Sequence, residues 1–281
     1  MTLTRVGLPR DALDHIENRI SFARADALLG ECVAMTGCAH FGLLLGSRWG
    51  LSQFGTLGEL MRHSPSVEEA LHSMAVYQRL DSDGGAVFVL EQESSISMGY
   101  AIYRKGVHHP DQIYDTALAI TCNLLRELCG SHWVASEVDF SRAQPVDQTP
   151  YWQHFRAPLR FDCEHSAIWF PARWQEQPIL GADPERYRAM TAVLEEAGRG
   201  GGLVSQVHRA LRLLLLAGKS SGDELAQTLS LHRRTLNRRL RAHGTTFQEI
   251  LDGCVSRWRA SCSSTPSRRS MKSRLRFAMQ T

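Results

Sequence analysis

The sequence predicts an α+β domain over residues 1–180, followed by a small all-α segment organised as a helix-turn-helix. Three observations carry that prediction. Short apolar strands and separate amphipathic helices fill the first part without the regular alternation of a doubly wound sheet. A glycine-rich joint, GRGGG at residues 198–202, then interrupts the chain. Beyond it lie a capped helix, a tight turn and a second helix with leucines four residues apart.

In chain order, residues 9–38 read as helical, because Leu13, Ile16, Ile20, Ala23 and Leu28 follow helix spacing. A glycine-punctuated apolar stretch, FGLLLGSRWGLSQFG, comes next. Ser64-Pro65-Ser66-Val67-Glu68-Glu69 has the serine cap and acidic first turn of a helix start, with Leu71, Met74, Val76 and Tyr77 expected inward. Residues 86–90 and 96–103 read as strands on either side of the polar turn EQESS. Residues 111–129 return to helix, with Ile113, Leu118, Ile120, Leu124 and Leu125 on the apolar side. Residues 134–140, 159–161 and 167–170 read as further strands between proline-containing loops.

Residues 203–251 read as four short helices. Val207, Ala210, Leu211, Leu214 and Leu215 give the first an apolar face. Ser221-x-x-Glu224 is a capping box that opens the second, whose Leu225, Ala226 and Leu229 face inward. A turn through Ser230 and Leu231 leads to the third, residues 232–242, where Leu236 and Leu240 face the core. Gly244 is placed to end it in a left-handed cap, and Thr245 or Thr246 to cap a fourth carrying Phe247, Ile250 and Leu251. The small Ala226 suits a steep crossing of the second and third helices.

Charge divides the chain. Residues 203–281 hold 15 Lys and Arg against 4 Asp and Glu, a net of +11, whereas the first 202 carry −8. That asymmetry points to a polyanionic partner for the C-terminal part and a different task for the acidic part. With Leu236 and Leu240 inward, Arg233, Arg234, Asn237, Arg238 and Arg241 turn outward, and no acid occurs from residue 225 to 248. Arginine reads guanine bidentately in the major groove, asparagine reads adenine, and further arginines grip phosphates. Double-stranded DNA is the expected partner of this surface.

These residues resemble the AraC/XylS family of transcription regulators through ELAQTLSLHRRTLNRRLRAHGTTFQEIL. The first 180 residues look like the arabinose-binding-like sensing domain of one branch of that family, through FGLLLGSRWG, GTLGELMRHSPSVEEAL and YWQHFRAPLRFD. The resemblance implies a DNA-binding module of two helix-turn-helix units and regulation by a small-molecule effector. It also implies a division into an effector-sensing or association domain at 1–180, a linker at 181–202 and a DNA-binding segment at 203–252. A homodimer is compatible with the association role. One departure is His232, which stands at the cap position where serine is commoner. A larger one begins after Asp252. Residues 253–281 hold 7 basic residues, 7 serines and no acid, without helical periodicity. A disordered basic tail and the product of a reading-frame slip both have that composition, and on either reading the DNA-binding module is incomplete.

Other chemistry finds little footing. His108-His109-Pro110-Asp111 reads as a solvated helix cap more readily than as half a metal site, and His40, His63, His132, His154 and His165 lack ligand spacing. No G-x-S-x-G or strand-borne G-x-G-x-x-G occurs, so neither an enzyme nor a cofactor is expected. Trp49, Tyr77, Tyr100, Tyr103, Trp133 and Trp152 fit a core better than an apolar ligand pocket. Seven irregularly spaced cysteines read as reduced thiols. With no signal peptide and no long apolar run, the expected location is the cytoplasm, away from membranes. A ligand-binding or dimerisation protein whose DNA-binding segment no longer functions is the alternative reading.

Overall fold

A computed structural model describes residues 2–15, 18, 20–78, 84–92, 94–102, 104, 106–199, 207, 210, 211, 214, 221–229, 231–242 and 245–251. The chain divides into two compact units between Val193 and Leu194.

The first unit opens with α1 (Thr2–Arg5), α2 (Phe22–Thr36) and α3 (Phe41–Gly46). A 3₁₀ turn at Leu51–Phe54, α4 (Gly55–Arg62) and α5 (Val67–Tyr77) follow. Next come β1 (Gly85–Glu91), β2 (Ser95–Ile102) and α6 (Pro110–Cys129). The unit continues with β3 (Glu137–Asp139), α7 (Thr149–Phe155), β4 (Leu159–Arg160) and β5 (Ser166–Pro171). The sheet order is β1-β2-β5-β3-β4, antiparallel except for the β3–β4 pair. Met98 pairs with Ile168, which pairs in turn with Val138, so one apolar row crosses three strands. All three are buried, and α6, with buried Leu118 and Leu125, packs on β2 and β5. The domain is therefore α+β, a mixed sheet with helices packed against it.

The glycines of FGLLLG gain their meaning from α6. A Cβ on Gly42 would lie 2.1 Å from the Gln112 carbonyl oxygen, and one on Gly46 would lie 2.3 Å from that of Thr116. Spaced four apart, they form one bare face on which α3 meets the α6 backbone. Gln112 fastens the contact: its Oε1 accepts the Gly42 N–H at 2.8 Å and its Nε2 donates to Ala39 O at 2.9 Å. Buried Asp26 on α2 also holds the start of α6, accepting the His108 and His109 N–H groups, each at 2.8 Å.

Several elements differ from expectation. The helix expected over 9–38 is α2 alone; residues before it form turns such as Ala12 N–H to Pro9 O, and Leu13 is 58% exposed. Pro9 and two nearby aspartates favour turns there, and extended Ser21 starts the helix only at Phe22. Ile16 lies outside the described residues. The strand expected over 134–140 shortens to β3, with Val134 exposed. A helix, α8 (Pro184–Arg199), occupies much of the 181–202 stretch expected as a linker. Asp183 opens it by accepting the Glu185 and Arg186 N–H groups. Its start is anchored where Tyr187 Oη donates to Glu69 Oε1 at 2.8 Å and Asp183 N–H donates to His63 Nδ1 at 3.3 Å.

Among the described residues of the second unit, α9 (Gly222–Thr228) and α10 (Arg233–Ala242) are followed by a helical stretch at 247–251. Val207, Ala210, Leu211 and Leu214 of the first expected helix are helical, the rest of that helix lying outside the described residues. Val207, Ala210, Leu211, Leu225, Ala226, Leu236, Leu240 and Ile250 form one core, with Leu229, Leu231, Phe247 and Leu251 packed against it.

Candidate nucleic-acid interface

The second unit is held together by caps. Ser221 Oγ accepts the Glu224 N–H at 3.2 Å, and Glu224 Oε2 accepts the Ser221 N–H at 3.2 Å, which starts α9 where the sequence predicts. Leu231 N–H donates to Ala226 O at 2.8 Å, and Thr245 N–H to Leu240 O at 3.1 Å. Each spans six residues back to a carbonyl in the last turn, one closing α9 and one closing α10. Gly244 itself lies outside the described residues. Thr246, of the two expected threonines, is the cap of the 247–251 stretch: its Oγ1 accepts the Glu249 N–H and Glu249 Oε2 accepts the Thr246 N–H. His232 compensates for the missing serine, since its Nδ1 accepts the Arg234 N–H at 3.3 Å.

These caps fix how α10 faces. Leu236 and Leu240 are buried, and Arg233, Arg234, Asn237, Arg238 and Arg241 are all exposed. At about 100° per residue, Arg238 points nearly opposite the two leucines, with Arg234, Arg241 and Asn237 on one side of it. Arg233 stands apart. It lies within about 40° of the leucine direction, and its Nη1 is ion-paired to Asp223 Oδ2 of α9. The sequence pattern did not reveal this pairing, because the partners lie ten positions apart across a turn.

The first unit contains a second charged constellation, also absent from the sequence reading. Asp115 of α6 is fully buried, and its Oδ2 accepts from Tyr151 Oη of α7 at 2.6 Å and from Arg142 Nη2 at 3.0 Å. The Arg142 guanidinium lies 4.9 Å from the Tyr151 ring centre and 5.9 Å from that of Phe140. Burial pushes the Asp115 carboxyl up to about 6, against the opposing pull of Arg142 and Tyr151. Burial likewise holds neighbouring His154 neutral, down to about 4.

A cavity of about 330 Å³ opens between α2 and the start of α6, lined by Gly30, Val33, Ala34 and residues 108–112. Among the described residues, Trp49, Tyr77, Tyr100, Trp133 and Trp152 do not line it. Trp133 is buried edge-on to Phe170, Trp49 is partly exposed, Trp152 is about half exposed, and Tyr103 lies outside the described residues. Among the described residues no group of three potential ligands could hold a metal ion. Cys32, Cys38, Cys122, Cys129 and Cys163 are free thiols, and burial raises Cys122 to about 11 and Cys129 to about 12, which suits inert core groups. Among the described residues no helix is long and apolar enough to cross a membrane.

An α+β domain joined in one chain to capped, arginine-faced helices is the build of a two-part transcription regulator. Residues 1–179 match the family described as "Arabinose-binding domain of AraC transcription regulator, N-term", and the chain belongs to this family of AraC-type regulators, not to a family of enzymes. It is 28% identical over 256 residues to the HTH-type transcriptional regulator VirS of Mycobacterium tuberculosis, covering 89% of this chain and 75% of that protein. It is 27% identical over 263 residues to the ornithine utilization regulator of Pseudomonas aeruginosa, covering 86% and 72%. The fold is similar to the crystal structure of the transcriptional regulator CdpR from Pseudomonas aeruginosa, at a TM-score of 0.50 and 20% identity over 92% of this chain and 83% of the other.

Proposed function

We propose that this chain is a cytoplasmic, effector-responsive regulator that contacts double-stranded DNA through the outer face of α10. Residues 1–180 sense a small molecule or mediate association, 181–202 connect, and 203–252 contact DNA. The single observation that carries this reading is the orientation of α10. Its two leucines are buried, and Arg234, Arg238 and Arg241 lie on the opposite side with Asn237 on the flank beside them, all four exposed. A solvated face has no need of four such groups clear of any acid from residue 225 to 248.

The module is proposed to be incomplete. The composition of residues 253–281, basic and serine-rich without apolar periodicity, supports that reading. A lone helix-turn-helix makes few base contacts and binds weakly. The purified chain should therefore retain duplexes of unrelated sequence with similar, salt-sensitive affinity. Tight binding to one sequence would overturn the incomplete module. No binding to any duplex at low salt would favour a ligand-binding or dimerisation protein instead. The coding DNA beyond codon 252 supplies an independent check: a second capped helix-turn-helix in another frame marks a slip, and its absence marks a genuine tail.

A further inference from the structure

We infer that Arg233 is engaged by Asp223 in a weak, exposed brace across the turn and takes no part in DNA contact, and that the DNA-reading stripe consists of Arg234, Asn237, Arg238 and Arg241. The inference rests on the proposed DNA contact of α10 and divides that surface in two.

Three observations separate Arg233 from its neighbours. The first is rotational. Arg234, Asn237, Arg238 and Arg241 occupy a sector about 100° wide, whereas Arg233 lies about 40° outside it, on the flank that meets α9. The second is its partner. Asp223 is the second residue of α9 and Arg233 the first of α10, and their ion pair joins the two helix starts across the turn. A cation in the first turn of a helix opposes the helix dipole, so Arg233 is poorly placed unless an anion meets it. Asp223 meets it, and itself gains from the positive end of α9. The third is packing. A Cβ added to Gly222 would lie 3.5 Å from Arg233 Nε and 3.5 Å from the Phe247 ring. The guanidinium therefore lies over the start of α9, where the 247–251 stretch also comes in.

The arrangement has a consequence for binding. An arginine that grips a phosphate releases about one counterion from the duplex, which steepens the salt dependence of affinity by about 0.9 in the log–log slope. Arginines of the stripe contribute to that slope, and a brace does not.

The test uses the full chain and a 20-base-pair duplex of random sequence, with affinity measured over a series of salt concentrations. Arg234→Ala and Arg238→Ala should each flatten the slope by about 0.9. The charge-neutral pair Asp223→Ala with Arg233→Ala should leave it unchanged and the affinity within about twofold, because it removes both partners of a weak exposed pair. If that double variant fails to fold, the exchange Asp223→Arg with Arg233→Asp keeps the pair with its polarity reversed and should also retain the slope. A slope flattened by about 0.9 in the double variant, or in the exchange, makes Arg233 a phosphate contact and overturns the brace. An unchanged slope in Arg234→Ala and Arg238→Ala removes the reading surface itself, which is failure of the underlying function and is distinct from failure of the brace.

Discussion

The two units each hold an arginine–aspartate pair, and the pairs live in opposite surroundings. In the first unit Asp115 is 0% exposed and Arg142 11%, with the Tyr151 hydroxyl on the same carboxylate oxygen. In the second, Arg233 and Asp223 are 54% and 67% exposed at the mouth of a turn. Chemistry is shared, but the expected consequences are not. A buried pair has already met the cost of leaving water, so loss of one partner strands a charge. An exposed pair sits in high dielectric, is screened by salt and holds little energy. The N-terminal unit is thus pinned by a buried polar node, whereas the second unit depends on its leucines and caps.

The largest expected effect breaks the buried pair. Arg142→Met should cost the N-terminal unit about 3–5 kcal/mol in urea unfolding, because buried Asp115 loses its cation and keeps only the Tyr151 hydroxyl. A loss below about 1 kcal/mol would place this pair in the same class as the exposed one.

Next comes the pH dependence of the same node. The Asp115 carboxyl is raised to about 6 by burial, so the folded unit holds this proton more tightly than the unfolded chain does. Its stabilising contribution is fully present below the ordinary carboxylate range and is lost as pH rises through about 6. Asp115→Asn removes that titration. The stability of the variant relative to the parent should therefore climb by about 2–3 kcal/mol between pH 4 and pH 7, and a flat difference would contradict the assigned environment.

Smaller effects belong to the second unit. Ser221→Ala removes the reciprocal cap of α9 and should destabilise that unit by about 1 kcal/mol, read as lost helicity on mild heating. Asp223→Ala should cost less than that at low salt and nothing measurable at high salt. A salt-resistant loss would mean that the exposed pair is more shielded than its surroundings imply.

What the sequence revealed follows the range of the forces involved. Strands β1, β2 and β5 and helix α6 were legible from apolar patterning, since each buries one continuous face. The capping box of α9 and the buried leucines of α10 were legible too, because caps and i, i+4 spacing are local. Helix α8 was not legible although Asp183-Pro184-Glu185 carries a cap, a proline at the first turn and an acid, because Pro178, Pro184 and the GRGGG joint have the composition of a broken segment. Helix α7 hid in a proline-containing loop. The roles of Gly42 and Gly46 were invisible until the α6 backbone stood against them. The Asp115 node was likewise hidden, since its members lie 27 and 36 positions from Asp115 and leave no periodic trace.

The central claim, that α10 meets DNA through one stripe, is tested most directly by arginine-selective chemical footprinting. The full chain would be modified with and without excess duplex at low salt, and each arginine followed by mass spectrometry. DNA should slow modification at Arg234, Arg238 and Arg241 and leave the N-terminal arginines, such as exposed Arg5 and Arg160, at their free rate. Protection confined to arginines between residues 257 and 276, with α10 reacting freely, would contradict the account and assign all DNA retention to the basic C-terminal segment.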